Sequence, residues 1–268
     1  MKTKSEVRMQ KSECRSEPAS GHHESYFWPQ PPTDGQLVIT GSEARHIARV
    51  MRHKVGNVIG VVDGVGTEYE VELTEVRADR VAGRVLGTRS GAREPKHRVT
   101  IAQAVLKGDR LAQVCEQVTE LGVSRVIPIQ TARTVGRLSA VRLERLRTVS
   151  LAALKSSTRT VLPKIDAVTG LGELLPTINE FGQALVAYEE ERGPGLGEVL
   201  DLKAGSVLLV VGPEGGFEPT EIDALKAAGA VSFSLGPRRL RAETAAVAVA
   251  AMTLGLLGDL GESAIANS

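Results

Sequence analysis

The chain has 268 residues, 42% of them apolar and 24% charged, with a formal net charge of +1. That length and apolar share allow a sizeable core and two domains, while the near-neutral balance gives no general basic excess, so any RNA-facing surface has to be local. Two cysteines exclude a disulfide framework, no Cys/His spacing suits zinc, and the longest apolar stretch, Ala245 to Leu257, is too short and alanine-rich for a membrane span.

The first 25 residues are polar, with Lys2, Lys4, Arg8, Lys11 and Arg15 interleaved with acids. They lack the apolar core of a secretory signal and read as a disordered extension of a cytoplasmic protein. Cys14 and the adjacent His22 and His23 fall in this extension and read as incidental, not as metal ligands. From Tyr26 to Leu86, short β-rich runs (Gln36 to Ile39, Val58 to Val62, Glu68 to Leu73, Arg80 to Leu86) alternate with Gly and Asp turns, which suits a small barrel with one inserted helix. That helix is expected from Glu43 to Lys54, with Ile47, Val50 and Met51 as its apolar stripe. Arg45, Arg49 and Arg52 recur at i, i+4, i+7 on another face; the row reads as an RNA-docking surface or as a solvated helix face.

Gly87 to His97 is polar, contains Pro95 and reads as a linker. Strand and helix patterns then alternate: Val99 to Val105, a helix from Asp109 to Leu121 stopped by Gly122, Val126 to Ile129, a helix from Leu138 to Ser157, and Ala184 to Ala187. Cys115 shares a face with Leu111, Val114, Val118 and Leu121 and reads as a small buried hydrophobe. The predicted organisation is an extension at 1–25, a β-barrel at 26–90 and an α/β domain with a parallel sheet at 98–260.

Two units close the chain. Ser206 to Val211 and Val231 to Leu235 read as buried strands, followed by Gly212-Pro213-Glu214-Gly215-Gly216-Phe217 and by Gly236-Pro237-Arg238-Arg239-Leu240-Arg241-Ala242-Glu243-Thr244. Each precedes a helix, so both turns are expected at one edge of the sheet, where α/β proteins place ligands. Glycine and proline there bring stiff, bare backbone to a flat polar ligand. Neither turn is a dinucleotide fingerprint or a phosphate-cradling loop. The last helix, Glu243 to about Leu257, is apolar nearly all round, which calls for burial on more than one side, within the subunit or against a second copy.

These two turns resemble the C-terminal signature of the ribosomal RNA uridine N3-methyltransferases, the RsmE-like branch of the SPOUT superfamily. The resemblance also takes in His46-x-x-x-Val50-Met51-Arg52-x-Lys54-x-Gly56, Asp63-Gly64, Lys107-Gly108-Asp109-Arg110, Thr119-Glu120-Leu121-Gly122-Val123 and Arg159-x-x-x-Pro163. It implies a knotted SPOUT-type α/β domain behind a PUA-like RNA-docking barrel, working as a homodimer on 16S rRNA of the small ribosomal subunit. The methyl donor would be S-adenosylmethionine, with no metal. It would be held by Gly212, Pro213, Glu214 and Gly215 in the first turn, by Leu235, Gly236, Leu240 and Thr244 around the second, and by Tyr188 at one side. The resemblance also favours the RNA reading of Arg45, Arg49 and Arg52.

Methylating N3 of uridine requires removing an imide proton or stabilising the anion. All five histidines precede the α/β domain, so the usual general base is absent there. Arg241 suits the charge developing on the uracil carbonyls, and Glu243 or Glu214 is the nearby carboxylate. Helix capping is an equally good reading of Glu243 and Thr244. Arg133 and Arg137 read as RNA contacts or as surface charge. Lys155-Ser156 stands where Glu-Gln is expected, and Gln117 where lysine is common, which bears on the substrate side of the pocket. The competing readings are a SPOUT enzyme acting on a ribose 2′-hydroxyl, a ribosome-assembly factor without turnover, and a metabolic enzyme with a small substrate.

Overall fold

The computed structural model describes residues 25–261; apart from Ser25, the expected N-terminal extension with Cys14, His22 and His23 lies outside them. The first unit holds β1 (Tyr26–Phe27), β2 (Gln36–Thr40), a short helix α1 (Gly41–Arg45), β3 (Val58–Val62), β4 (Thr67–Val76) and β5 (Arg80–Ser90). They form a curled sheet in the order β1-β3-β4-β5-β2, antiparallel except for β1 beside β3. Along β4, Tyr69, Val71 and Leu73 turn inward on alternate positions, the period of a half-buried strand. Register shifts at Glu70/Val71 and Leu73/Glu75 help curl the sheet around Leu37, Ile39, Ile47, Ile59 and Val61.

Two expectations need correction in this unit. β5 runs through Ser90, taking the first four residues of the expected linker, because Gly87 to Ser90 pair with Glu70 to Thr67. The predicted helix from Glu43 to Lys54 is instead α1 followed by a single wide turn, His46–Val50, in which the Met51 amide donates to the His46 carbonyl at 3.0 Å. The extra residue per turn rotates the apolar face. Ile47 stays buried, but Val50 is 65% and Met51 43% exposed, and Arg52 takes a left-handed φ of 57°.

The second unit is built on seven parallel strands: β6 (Arg98–Ala104), β7 (Arg125–Gln130), β8 (Lys164–Ile165), β9 (Thr169–Gly170), β10 (Gln183–Ala187), β11 (Ser206–Val211) and β12 (Val231–Phe233). Their order is β12-β10-β11-β6-β7-β8, with β9 beside β7. Helices α2 (Arg110–Leu121), α3 (Ala140–Ser156), α5 (Leu196–Val199) and α7 (Ala242–Leu256) cover one face, while α4 (Leu171–Leu174), a 3₁₀ turn at Leu175–Glu180 and α6 (Pro219–Ala227) cover the other. The β10 and β11 runs are buried on both faces and therefore read as continuous apolar stretches, while β6, equally buried past Arg98, carries Thr100 and Gln103 inside. Helix α2 ends as expected at Gly122, whose φ of 114° needs glycine; an added Cβ would lie 2.5 Å from Pro95 Cγ. Cys115 is fully buried, and burial pushes its thiol up to about 12.

From the edge strand β12 the chain returns past β10 and β11, so that α7 packs on β11, β6 and α2. Such a return is a requirement of the trefoil threading that the resemblance implies. Helix α7 buries Ala246, Val249, Ala250, Thr253 and Leu254 within the subunit, but Met252 and Leu256 are 45% and 44% exposed. Among the described residues no helix is long and apolar enough to cross a membrane.

Candidate functional site

The sheet register puts the ends of four strands in one line. Phe233 aligns with Ala187, Ala187 with Val211, and Val211 with Gln103. The segments that follow them, including both signature turns, therefore open at the same edge, as the pattern predicts.

The first turn is held from below by Gln103, which is fully buried. Its Nε2 donates to the Gly212 carbonyl at 3.1 Å and to the Ala104 carbonyl at 3.0 Å, while its Oε1 is a buried acceptor without a partner. Pro213 is buried and its carbonyl accepts from the Gly216 amide at 3.0 Å. Gly216 has a φ of 69°, and a Cβ there would overlap Glu189 Oε1. Gly215 is exposed; a Cβ on it would lie 3.2 Å from Arg133 Cβ, and Arg133 Nη1 donates to its carbonyl at 3.2 Å. Gly216 was not among the expected ligand-holding residues, yet it is the more constrained of the pair.

Arg110 links the first turn to α7. Its Nη1 lies 3.3 Å from Glu214 Oε1 and its Nε 3.7 Å from Glu243 Oε1. Glu214 Oε1 also accepts from the Lys107 amide at 3.0 Å. Glu243 makes no side-chain hydrogen bond to the helix start, because its carboxylate faces Arg110, and its Oε2 is buried without a hydrogen-bond partner. The capping alternative for Glu243 and Thr244 thus has no hydrogen bond behind it, although an acid in the first turn still suits the helix dipole. Thr244 is exposed.

In the second turn Leu235 and Leu240 are half-buried, and Gly236, Arg238, Arg239 and Arg241 are exposed. Gly236 has a φ of 95° and donates its amide to Ser234 Oγ at 3.1 Å. Arg241 caps α7 in extended backbone conformation, and its side chain has no ion-pair partner among the described residues. At the end of β12, Tyr188 donates its amide to the Phe233 carbonyl at 3.1 Å and its hydroxyl to Glu190 Oε2 at 3.0 Å. Burial, the Glu190 hydrogen bond and the charges of Glu190 and Glu189 push the Tyr188 phenol up against the opposing pull of Arg133, so it stays protonated. Glu191 anchors this loop: it accepts from Ser232 Oγ at 2.5 Å and from the Gly193 amide at 2.9 Å, and these bonds hold its carboxyl below the usual range.

The remaining expected residues lie elsewhere. Arg45, Arg49 and Arg52 sit on the first unit, exposed and without ion-pair partners among the described residues. Lys155 does not border the turns; it reaches Glu43 of α1. Gln117 is half-buried on α2. A cavity of about 430 Å³ on the first unit, lined by Trp28, Gln30, Thr33 and Asp34 among others, contains none of the signature residues. Groups of three or more potential metal ligands are absent among the described residues. Gln103 and Arg110 were missed because their partners, Gly212, Glu214 and Glu243, lie more than a hundred positions away in sequence. The Lys107-Gly108-Asp109-Arg110 motif was the one signal available.

Residues 92–254 match the family model for an RNA methyltransferase domain, and residues 39–86 match that for an RNA methyltransferase PUA domain. The chain belongs to the RsmE-type RNA methyltransferase family. It is 36% identical to the ribosomal RNA small subunit methyltransferase E of Bacillus subtilis over 77% of this chain and 85% of that protein. The Mycobacterium bovis methyltransferase E is 35% identical over 86% of this chain and 88% of its own length. Among solved structures, the Neisseria gonorrhoeae methyltransferase E bound to S-adenosyl methionine superposes with a TM-score of 0.80 at 27% identity, covering 88% of this chain and 98% of that one. The RNA methyltransferase match to residues 92–254 contains both signature turns, Gln103 and Arg110.

Proposed function

We propose that this protein is an S-adenosylmethionine-dependent methyltransferase that modifies N3 of a uridine in 16S rRNA, working in the cytoplasm as a homodimer. The observation that carries the reading is the pair of glycine-proline turns side by side at one sheet edge, rimmed by exposed arginines. The bare backbone at Gly212 to Gly216, the half-buried Leu235 and Leu240, and the unpartnered Gln103 Oε1 fit a ligand with a flat, hydrogen-bonding ring. Tyr188, Pro213, Glu214, Gly236 and Thr244 complete this cofactor set, and the first and second units act as barrel (26–90) and catalytic domain (98–260).

When bound, S-adenosylmethionine supplies an electrophilic methyl group on a sulfonium. The chain's own task is to present N3 in line with it and to manage one proton. Arg241, exposed at the start of α7, stabilises the negative charge that spreads onto the uracil carbonyls as N3 loses its proton. Glu243 would receive that proton. Arg110, shared by Glu214 and Glu243, keeps the cofactor turn and the catalytic helix in register. Arg133, beside Gly215, and the Arg45, Arg49 and Arg52 row contact the RNA backbone. The exposed Met252 and Leu256 side of α7 is the surface for the second subunit.

Mass spectrometry of 16S rRNA from cells with and without the gene tests this reading. Loss of one N3-methyluridine supports it, and a missing ribose methyl group in its place overturns it.

A further inference from the structure

The first unit is attached to the second at two neighbouring places, joined where the Thr158 amide donates to the Lys155 carbonyl at 3.3 Å. One lies at residues 158–162: the Gly66 amide donates to the Thr160 carbonyl at 3.0 Å, the Leu162 amide donates to the Gly64 carbonyl at 2.9 Å, and Arg93 Nε donates to the Thr158 carbonyl at 2.7 Å. Nearby, Arg159, only 3% exposed, pairs with Glu94 at 2.7 Å. The other lies at the end of α3. There Lys155 Nζ meets Glu43 Oε1 at 2.9 Å and Oε2 at 3.0 Å, with side chains 13% and 16% exposed. Lys155 Nζ also lies 3.4 Å from His46 Nδ1, and the Lys155 carbonyl accepts from the Ser25 amide at 3.1 Å.

Glu43 in turn accepts from the Phe27 amide at 2.9 Å. Tyr26, one residue earlier, packs its ring edge-on against His46 and His53 at 5.9 and 5.7 Å, and its hydroxyl lies 2.8 Å from His53 Nε2. The inner side of residues 43–53 is thus pinned at Glu43, His46, Ile47 and His53, while its outer side displays Arg45, Arg49 and Arg52. One attachment would leave the first unit free to pivot. A second, at the root of the arginine-bearing segment, fixes its angle to the sheet edge.

We propose that Lys155 is a positioning residue: through Glu43 it sets the arginine segment at a fixed orientation to the methyl-transfer edge, so that RNA docked on one unit presents its base to the other. The proposal rests on the RNA methyltransferase reading above. A half-buried carboxylate that loses its cation is left poorly compensated, so Glu43 would shift toward solvent and release the segment.

The experiment uses the full-length protein and purified small ribosomal subunits. Methyl transfer by the unaltered protein tests the reading itself. Lys155→Met is expected to raise KM for the subunit about tenfold, as a misplaced substrate does, with kcat and S-adenosylmethionine affinity little changed. Lys155→Arg, which keeps charge and reach, should restore KM. Glu43→Gln should match Lys155→Met, and the double variant should be no worse than either single one, because both act through one contact. Hydrogen exchange supplies a readout independent of activity: amides at 25–27 and 41–50 should exchange faster in Lys155→Met, and those at 63–68 should not. Unchanged exchange at 41–50, an unchanged KM, or additive effects in the double variant would overturn the proposal.

Discussion

Gly216 is the residue at which backbone shape and ligand approach coincide. Its left-handed φ of 69° and the Glu189 carboxylate over its α-carbon leave no place for a side chain. Gly216→Ala should cost about 1–2 kcal/mol in stability from the backbone alone and should weaken S-adenosylmethionine binding; calorimetry giving the parent affinity would remove the first turn from the site. Gly215 differs, since its carbon faces Arg133 at ordinary backbone angles. Gly215→Val should block the ligand with less loss of stability. Arg110 can be tested in the same way. Its pairs with Glu214 and Glu243 are partly solvated, so Arg110→Met should shift stability by only about 1 kcal/mol while lowering methyl transfer by about a hundredfold through misalignment. A normal rate in that variant would show that the two turns keep register without it.

At the scale of elements, the segment after α7 matters as much as the helix. The Asp259 carboxylate, 3% exposed, accepts from the amides of Lys96 and His97 and lies 2.7 Å from His97 Nδ1, tying the segment after α7 to the segment before β6. Burial alone would raise its pKa, but these hydrogen bonds and the His97 charge outweigh burial and hold it below the ordinary aspartate value of 3.8. A depressed carboxyl contributes stability that is complete above its unfolded value and is lost as pH falls through its folded one. Asp259→Ala should therefore cost about 2 kcal/mol at pH 7, with the difference fading in acid below that value. Denaturant curves showing an equal difference at both pH values would contradict this account.

What the sequence showed, and what it hid, also divides by element. The strand before the first signature turn was legible because burial on two faces leaves an unbroken apolar run, whereas β12 is an edge strand that stops at Phe233, two residues short of the expected Leu235, with Val231 exposed; α2 was legible with its stop because Gly122 is a local signal. The wide turn at His46 was hidden, since no residue type announces an extra residue per turn, and Val50 and Met51 were assigned to the wrong face. The end of β5 was hidden because its residues are polar on a solvated sheet face. Helices α4 and α5 span only four residues each, too few for periodicity. In the site, the turns were visible locally, whereas Gln103, Arg110 and the Lys155 contact depend on where distant segments come to rest.

For the whole molecule, α7 lets folding and the proposed assembly be tested apart. Val249 is fully buried within the subunit, so Val249→Glu should unfold the catalytic unit, costing several kcal/mol, on the order of 4 or more, whatever the oligomeric state. Met252 lies on the exposed side. Met252→Glu should leave the melting of the isolated subunit unchanged and convert a dimer into monomers. Light scattering that finds the parent protein monomeric at micromolar concentration would remove the dimer from the proposal.

The strand order also has a consequence for synthesis. Strand β6 lies in the middle of the parallel sheet, yet its neighbour β11 pairs Arg98 with Ser206, and α7, which covers both, comes last. As the chain leaves the ribosome, β7 can join β6 early, but the other edge of β6 stays unpaired until more than a hundred further residues have emerged. Long-range parallel pairing of this kind is slow. A nascent chain of this protein is therefore expected to carry a folded barrel for some time before it has anything with which to modify RNA, and the methyl-transfer edge is the last feature to form.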